Sequence, residues 1–475
     1  MPNAPIAKVF KAYDVRALYP DPLNEPIAEK IGYGVGEFLK KGNNGNKGTV
    51  VVSRDHRPAA PSMAEALIRG IRASGMDVVD LGSCDTSIQY FAVPHLDAAG
   101  GVQCTASHNP IEYIGFKVSA KGARPVGRDT GLAEIQQTAE GLSDGFLDAA
   151  DSSKGSYEER DIWDAYRKHI LQFTTGGIQR PLKVFVDASN GMGTTLLEKV
   201  FTGVPNLEVV SVNAEYTDDW AHEPNPLVPE NMQPTVDGVK RTGADLGACF
   251  DGDADRCMLV DDEGNLCGCD HLTAWMAGHF VARSATDPGT ADPTTIVYDL
   301  RSSKVVEETV RALGAKPAMS KVGHVNMKAL LRETGGVFGG ELSGHFYFRG
   351  NSYADSGAIT LAAALTILGQ NEKKLSELIA PYRKYPQSGE INFENPDKQG
   401  TIDKLEASFK DRAREILHLD GVSIDCWESE GYWFNVRSSN TEPLLRLNAE
   451  AKDEAKLKEL LDELMPQMGK VDAGH

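Results

Sequence analysis

The chain has 475 residues, 41% hydrophobic and 25% charged, with a formal net charge of −19. That length exceeds one core and predicts roughly three to four domains, while the acidic balance argues against DNA or RNA as a partner and requires a local basic cluster for any small anionic ligand. No apolar run is long enough to span a bilayer, no charged-then-apolar segment opens the chain, and seven cysteines are an odd number; these argue against a membrane protein and a disulfide framework and predict the cytoplasm.

In chain order, the first strong signal is VVVSRDHRP from Val50, an apolar β-branched run ending in a polar turn. Apolar residues at helical spacing follow over 61–73, Gly75 stops them, and 76–81 reads as the next strand. This strand, crossover helix, strand unit recurs at VFVDASNG from Val184 and at IVYDLRSS from Ile296, the last with a helix over 302–313 stopped by Gly314. Each unit then meets a second short apolar strand that empties into a small polar loop: 101–104 into TASHNP, then FDGDADR, then GGELSGH. Parallel sheets carry ligand loops at the carboxyl ends of their strands, so three similar domains around one cleft would bring these loops together. From roughly Gly389 the pattern changes to strands over 422–426, 432–436 and 444–450 and an amphipathic helix from Asp453 to about Met468. The expected fold class is α/β: three similar mixed α/β domains plus a smaller C-terminal α+β domain around a central active-site cleft.

TASHNP sets one serine, Ser107, at its centre after an apolar strand. A surface turn uses the same residue types. The flanks Thr105 and Asn109 exclude a G-x-S-x-G nucleophile elbow, and the side chain of the adjacent His108 need not point the same way, so the serine needs activation from elsewhere. DGDADR sets Asp251, Asp253 and Asp255 in alternation, on one face if the loop is extended; three hard carboxylates leave positions for water or a phosphate oxygen, as Mg²⁺ prefers. An EF-hand fails because its sixth position needs Gly and has Arg256, and the CMLV that follows reads as strand. A solvated acidic turn fits less well, since apolar strands on both sides hold the acids together. Cys249, Cys257, Cys267 and Cys269 lack the paired C-x₂-C spacing of a structural zinc site and read as small buried hydrophobes. RSSNTEP, from Arg437 to Pro443, offers a guanidinium fork, hydroxyls and an amide, which suit a phosphate dianion better than an ordinary hairpin turn. An acidic triad and a lone serine together suggest phosphoryl transfer.

TASHNP, DGDADR, GELSGH and RSSNTEP, in this order and at these separations, resemble the α-D-phosphohexomutase superfamily, and most closely its phosphomannomutase/phosphoglucomutase branch; the resemblance runs from FKAYDVR at Phe10 to the last domain. It implies a phosphoserine-bearing domain over 1–157, a metal-binding domain over 158–264, a sugar-recognition domain over 265–384 and a phosphate-binding domain over 385–475. It implies phosphorylation of Ser107, and Mg²⁺ held by Asp251, Asp253, Asp255 and a phosphate oxygen on Ser107. Arg16, Lys117 and Arg256 match basic groups around the transferred phosphoryl, and His108 joins the catalytic set. Glu341 and Ser343 match the pair that grips sugar hydroxyls. His345 is a candidate for proton transfer or for a hydrogen-bonding role. Tyr13, Arg301 and His324 match ligand-facing groups, and Arg437, Ser439, Asn440 and Thr441 the loop for the phosphate that is not transferred. Two departures stand out: Ala17 replaces the Gly of YDIRG, which restricts positive φ there, and Leu342 replaces the usual Met, a near-isosteric change; the glucosamine-selective branch usually carries Gln at that position, which argues against an amino sugar.

The implied activity is reversible exchange of hexose 6-phosphate and hexose 1-phosphate, of mannose or glucose, through a hexose 1,6-bisphosphate that also serves as activator. A Mg²⁺-dependent sugar phosphatase, a phosphoglucosamine mutase and a catalytically silent phosphosugar-binding protein are the competing readings; intact Ser107 and aspartates weigh against the last. The partners expected are small phosphosugars, with neither nucleic acid nor membrane, and monomer and dimer both stand open.

Overall fold

The computed structural model describes residues 4–149, 154–174, 176–284, 293–439 and 444–472. The chain divides into two compact units, one of Met1–Cys267 with Ser343–Ser376 and one of Gly268–Leu342 with Glu377–His475.

In the first unit, the β-branched run at Val50 forms Thr49–Arg54, the centre of a sheet in the order Val15–Leu18, Tyr113–Ala120, Gly100–Cys104, Thr49–Arg54, Asp77–Ser83, Tyr157–Glu159, with Arg124–Pro125 beside Tyr113–Ala120. The three middle strands from Gly100–Cys104 to Asp77–Ser83 run parallel, and Tyr113–Ala120 returns antiparallel. Gly100–Cys104 is buried along its whole length, as a strand covered on both faces must be. The crossover helix Ala60–Ala73 packs Met63, Leu67 and Ile71 into this core. A second sheet repeats the plan: Leu246–Phe250 pairs in parallel with Leu182–Asp187, which pairs in parallel with Leu207–Val212, and Cys257–Asp261 returns antiparallel. The helix Gly357–Gly369 is apolar all round and buried throughout except near one residue of its last turn, as a core helix requires.

The second unit holds the third copy, Phe338–Gly340, Thr295–Asp299 and Lys316–Ser320 in parallel, with helices Lys304–Ala312 and His324–Thr334. It also holds the C-terminal antiparallel sheet, in the order Glu415–Leu417, Val422–Cys426, Tyr432–Ser438, Leu444–Ala451, Gln387–Glu394, Lys470–Val471. Helix Glu454–Met468, capped by Asp453 accepting from Lys456 N, seats Leu457, Leu460, Leu464 and Met468 on this sheet. In each α/β copy, the motif loop follows the strand predicted to carry it.

Two sequence expectations change. Ala17 lies inside the strand Val15–Leu18, paired with Ile114, and takes no positive φ, so the missing glycine costs this backbone nothing. DGDADR is a turn and not an extended segment: Ala254 N donates to Asp251 O at 3.1 Å and Ala254 takes φ of +55°. The three carboxylates converge because the chain curls round them, not because alternate side chains share a face. All seven cysteines are free and buried.

Candidate active site

The serine loop is held from beneath. Arg57, 1% exposed and paired with Asp55 at 2.8 Å, donates to the carbonyls of Ser107 (3.0 Å), Pro110 (3.1 Å) and Tyr113. Thr105 Oγ1 donates to the same Asp55 at 2.7 Å and accepts from Ser107 N at 2.8 Å. These bonds keep Ser107 at φ of +52°, a region that a non-glycine residue occupies only when its surroundings over-determine it. The result aims the hydroxyl: Ser107 Oγ donates to Asp251 Oδ2 at 2.9 Å.

Oxygens of Asp251, Asp253 and Asp255 lie within 4.8 Å of one another, and all three residues are buried. Lys117 Nζ bridges Asp253 (2.7 Å) and Asp255 (2.6 Å), Thr86 Oγ1 also donates to Asp253, and Arg256 N donates to Asp251 at 3.1 Å. Burial alone would lower the Lys117 pKa; Asp253 and Asp255 overcome it and hold the ammonium charged. Burial, then Asp255 and Asp253, push the Asp251 carboxyl up to about 8, whereas at Asp253 burial is outweighed by Lys117 and the hydrogen bonds it accepts together, which pull the carboxyl down. The three carboxyls therefore do not all ionise here without a further positive charge. Asp253 Oδ1 and Asp255 Oδ1 are buried without a hydrogen-bond partner. Orphaned hard oxygens among clustered carboxyls, one of which needs a further positive charge to ionise, fit a divalent cation.

Arg256 links two histidines. Its Nη2 donates to His108 Nδ1 at 3.1 Å and its Nε to His345 Nε2 at 3.1 Å. Each ring must offer a lone pair there, which leaves the His108 proton on Nε2 and the His345 proton on Nδ1, 2.9 Å from Asp355 Oδ2. Burial, then Arg256, Arg16 and Lys117, hold His108 well below its ordinary pKa, so it is neutral; its Nδ1 stands 3.4 Å from Ser107 Oγ, and the two neighbouring side chains do converge. Arg16 pairs with Asp14 and donates to Asn109 Oδ1, reaching the serine motif directly. Tyr13 is half-buried at the bend before the Arg16 strand. Ser343 Oγ, in this same unit, is buried with no hydrogen-bond partner.

In the second unit, Arg301 is gripped by Asp299 through Nε (3.2 Å) and Nη2 (2.8 Å) and stands 3.7 Å from Glu341. Glu341 accepts from Gly323 N at 3.0 Å, beside His324 at the start of its helix, and Leu342 N donates to Asp299 at 2.8 Å. Arg437, 4% exposed on Tyr432–Ser438, pairs with Glu390, as do Arg446 (3.2 Å) and Arg301 (3.5 Å). Ser439 is buried, its N–H donating to Leu444 O at 2.9 Å. Asn440 and Thr441 lie outside the described residues.

Asp55, Arg57, Thr86, Asp355 and Glu390 went unread in the sequence. Only the charged pair in RDHRP, directly after a strand, carried a signal.

A serine aimed at a carboxylate triad, with buried cations on its flanks, can accept and donate a phosphoryl group; this is the apparatus of a phosphoryl-transfer enzyme. Four family models match along the chain: Phosphoglucomutase/phosphomannomutase, alpha/beta/alpha domain I over residues 7–144, domain II over 164–264, domain III over 269–385, and the C-terminal domain over 390–467. "Phosphohexose mutases" of Xanthomonas campestris pv. campestris are 39% identical over 455 residues, 95% of this chain and 96% of the relative. The phosphomannomutase of Escherichia coli K12 is 35% identical over 457 residues, again 95% and 96% of the two chains. A crystal structure of a phosphoglucomutase/phosphomannomutase family protein from Burkholderia thailandensis superposes with a TM-score of 0.84 at 31% identity, covering 98% of this chain and 97% of that one. The chain belongs to the phosphoglucomutase/phosphomannomutase family. It is an intramolecular phosphotransferase, a hexose-phosphate mutase.

Proposed function

We propose that the chain interconverts hexose 6-phosphate and hexose 1-phosphate of mannose and glucose through phosphorylated Ser107 and a hexose 1,6-bisphosphate. The observation that carries this reading is Ser107 Oγ at 2.9 Å from Asp251, at the edge of the acidic triad and beside neutral His108. Asp251, Asp253 and Asp255 would hold Mg²⁺, which supplies charge neutralisation at the transferring phosphoryl when bound. Arg16, Lys117 and Arg256 neutralise the phosphoryl oxygens as charge builds on them. A sugar hydroxyl oxygen bonds to phosphorus as the bond to Ser107 Oγ breaks; the hydroxyl proton passes to a base and a proton returns to the freed Ser107 Oγ, with His345 and His108 the candidates, each available as a base once Arg256 turns from its lone pair to the phosphoryl oxygens. The bisphosphate then turns end for end, and its other phosphate returns to Ser107. Glu341 and Ser343 take sugar hydroxyls, Tyr13, Arg301 and His324 face the ligand, and Arg437, Ser439, Asn440 and Thr441 take the phosphate that is not transferred.

Phosphorus NMR tests this with the protein, Mg²⁺, a trace of glucose 1,6-bisphosphate and, in separate samples, mannose, glucose and glucosamine 1-phosphate. The expected products are mannose and glucose 6-phosphate without inorganic phosphate. Inorganic phosphate without isomer would make the enzyme a phosphatase, and turnover of the amino sugar alone would make it a phosphoglucosamine mutase.

A further inference from the structure

Arg437 and Arg446 stand directly opposite each other across the antiparallel strands Tyr432–Ser438 and Leu444–Ala451. Like charges in that register repel. Glu390, from the neighbouring strand Gln387–Glu394, reaches both guanidiniums, and Arg301 Nη1 as well. Glu390 is Arg437's one ion-pair partner among the described residues, and Arg437 Nε is buried with no hydrogen-bond partner. A fork of this kind, one arm on a carboxylate and the other idle, is half-filled: a phosphate dianion would use both arms in parallel. Glu390 itself is 26% exposed, so it can swing aside.

We propose that Glu390 is an internal stand-in for phosphate, a positioning residue that holds the arginines in the empty enzyme and competes with the incoming anion. The inference rests on the proposed role of Arg437 in taking the second phosphate. When phosphate arrives, Glu390 either remains and repels it or withdraws and gives up its ion pairs; both weaken phosphate binding. That weakening has a use, since a bisphosphate that must turn end for end has to leave this group of arginines once per cycle, and tight retention would trap it. Glu390 thereby sets affinity against release.

The test compares wild type with Glu390→Gln, Glu390→Asp, Arg437→Ala and the Glu390→Gln/Arg437→Ala pair. Thermal unfolding is followed with and without inorganic phosphate, and KM, kcat and the competitive inhibition constant of inorganic phosphate are measured with glucose 1-phosphate. In Glu390→Gln, unfolding without phosphate should begin at a lower temperature, the stabilisation by phosphate should grow, and KM and the inhibition constant should both fall about 3- to 5-fold, the scale of one partly exposed ion pair. kcat should not rise. Glu390→Asp should shift the same way by less, and it carries the test if the Gln variant fails to fold. The double variant should lose the gain. Unchanged or raised KM and inhibition constant in folded Glu390→Gln would overturn the inference. If Arg437→Ala raises KM while Glu390→Gln leaves it alone, only the stand-in role fails; if Arg437→Ala leaves KM alone too, the phosphate role of Arg437 fails with it.

Discussion

Ser107 combines two demands that conflict locally. Its hydroxyl must face Asp251, and that requires a left-handed backbone, which costs a non-glycine residue roughly 1 kcal/mol or more. The buried Asp55–Arg57 pair, through three loop carbonyls and Thr105, supplies the restraint. Ser107→Ala and Ser107→Gly should both remove nearly all turnover and all phosphopeptide signal at this position. Their stabilities should differ, with the glycine variant more stable than the alanine variant by about 1 kcal/mol in denaturant titrations because glycine accepts φ of +52° freely. Phosphate recovered only on another residue would move the nucleophile elsewhere.

At the scale of the elements, two loops meet where side chains would not fit. A Cβ on Gly252 would fall 2.5 Å from Ser107 O, so only glycine lets the acidic turn close onto the serine loop. Gly252→Ala should force the loops apart, costing about 1–3 kcal/mol of stability. Calorimetry should show weaker Mg²⁺ binding, and turnover should fall with it; unchanged Mg²⁺ affinity would place the cation away from this turn. The helix Thr86–His95 ties the turn from the other side, with Thr86 N donating to Asp253 O at 3.0 Å and Thr86 Oγ1 to its carboxylate. Its N-cap, Asp85, accepts from Ser87 N (3.1 Å) and Tyr166 (2.8 Å), yet Oδ1 has no partner, and burial outweighs these bonds and pushes the carboxyl up to about 7. A raised folded pKa means that the folded chain binds the extra proton: the stabilisation is full below about pH 4, the unfolded value, and is lost as pH rises to about 7. Wild type should therefore lose more thermal stability between pH 4 and pH 7 than Asp85→Asn, which does not titrate; parallel melting curves across that window would refute the assignment.

For the whole molecule, a net charge of −19 opposes an anionic substrate everywhere except at local cation clusters. Arg16, Lys117 and Arg256 form one such cluster, and Arg301, Arg437 and Arg446 another, each held by buried or half-buried carboxylates. If one serine serves two phosphate positions as proposed, the molecule would have a memory: a bisphosphate lost in mid-cycle would leave Ser107 unphosphorylated, and a hexose monophosphate could not recharge it. Protein stripped of phosphate should be nearly inactive with glucose 1-phosphate alone and should recover when catalytic glucose 1,6-bisphosphate is added. Full activity of verified dephosphorylated protein, with no bisphosphate present or formed, would exclude the cycle.

The amino-acid order alone determined the repeated strand, helix, strand plan, the C-terminal module and the loops that carry Ser107, the aspartates, Glu341 and Arg437, because periodicity and motif are local properties of a chain. It also misled locally: DGDADR reads as alternation, but a hydrogen-bonded turn through Ala254 is what gathers its carboxylates. Only the tertiary structure decided which distant side chains complete each loop. Arg57 reaches Ser107 across 50 positions, Thr86 reaches Asp253 across 167, and Glu390 reaches Arg437 across 47. A lone charge or hydroxyl has no period and no spacing rule, so its meaning appears only when folding desolvates it against one particular partner.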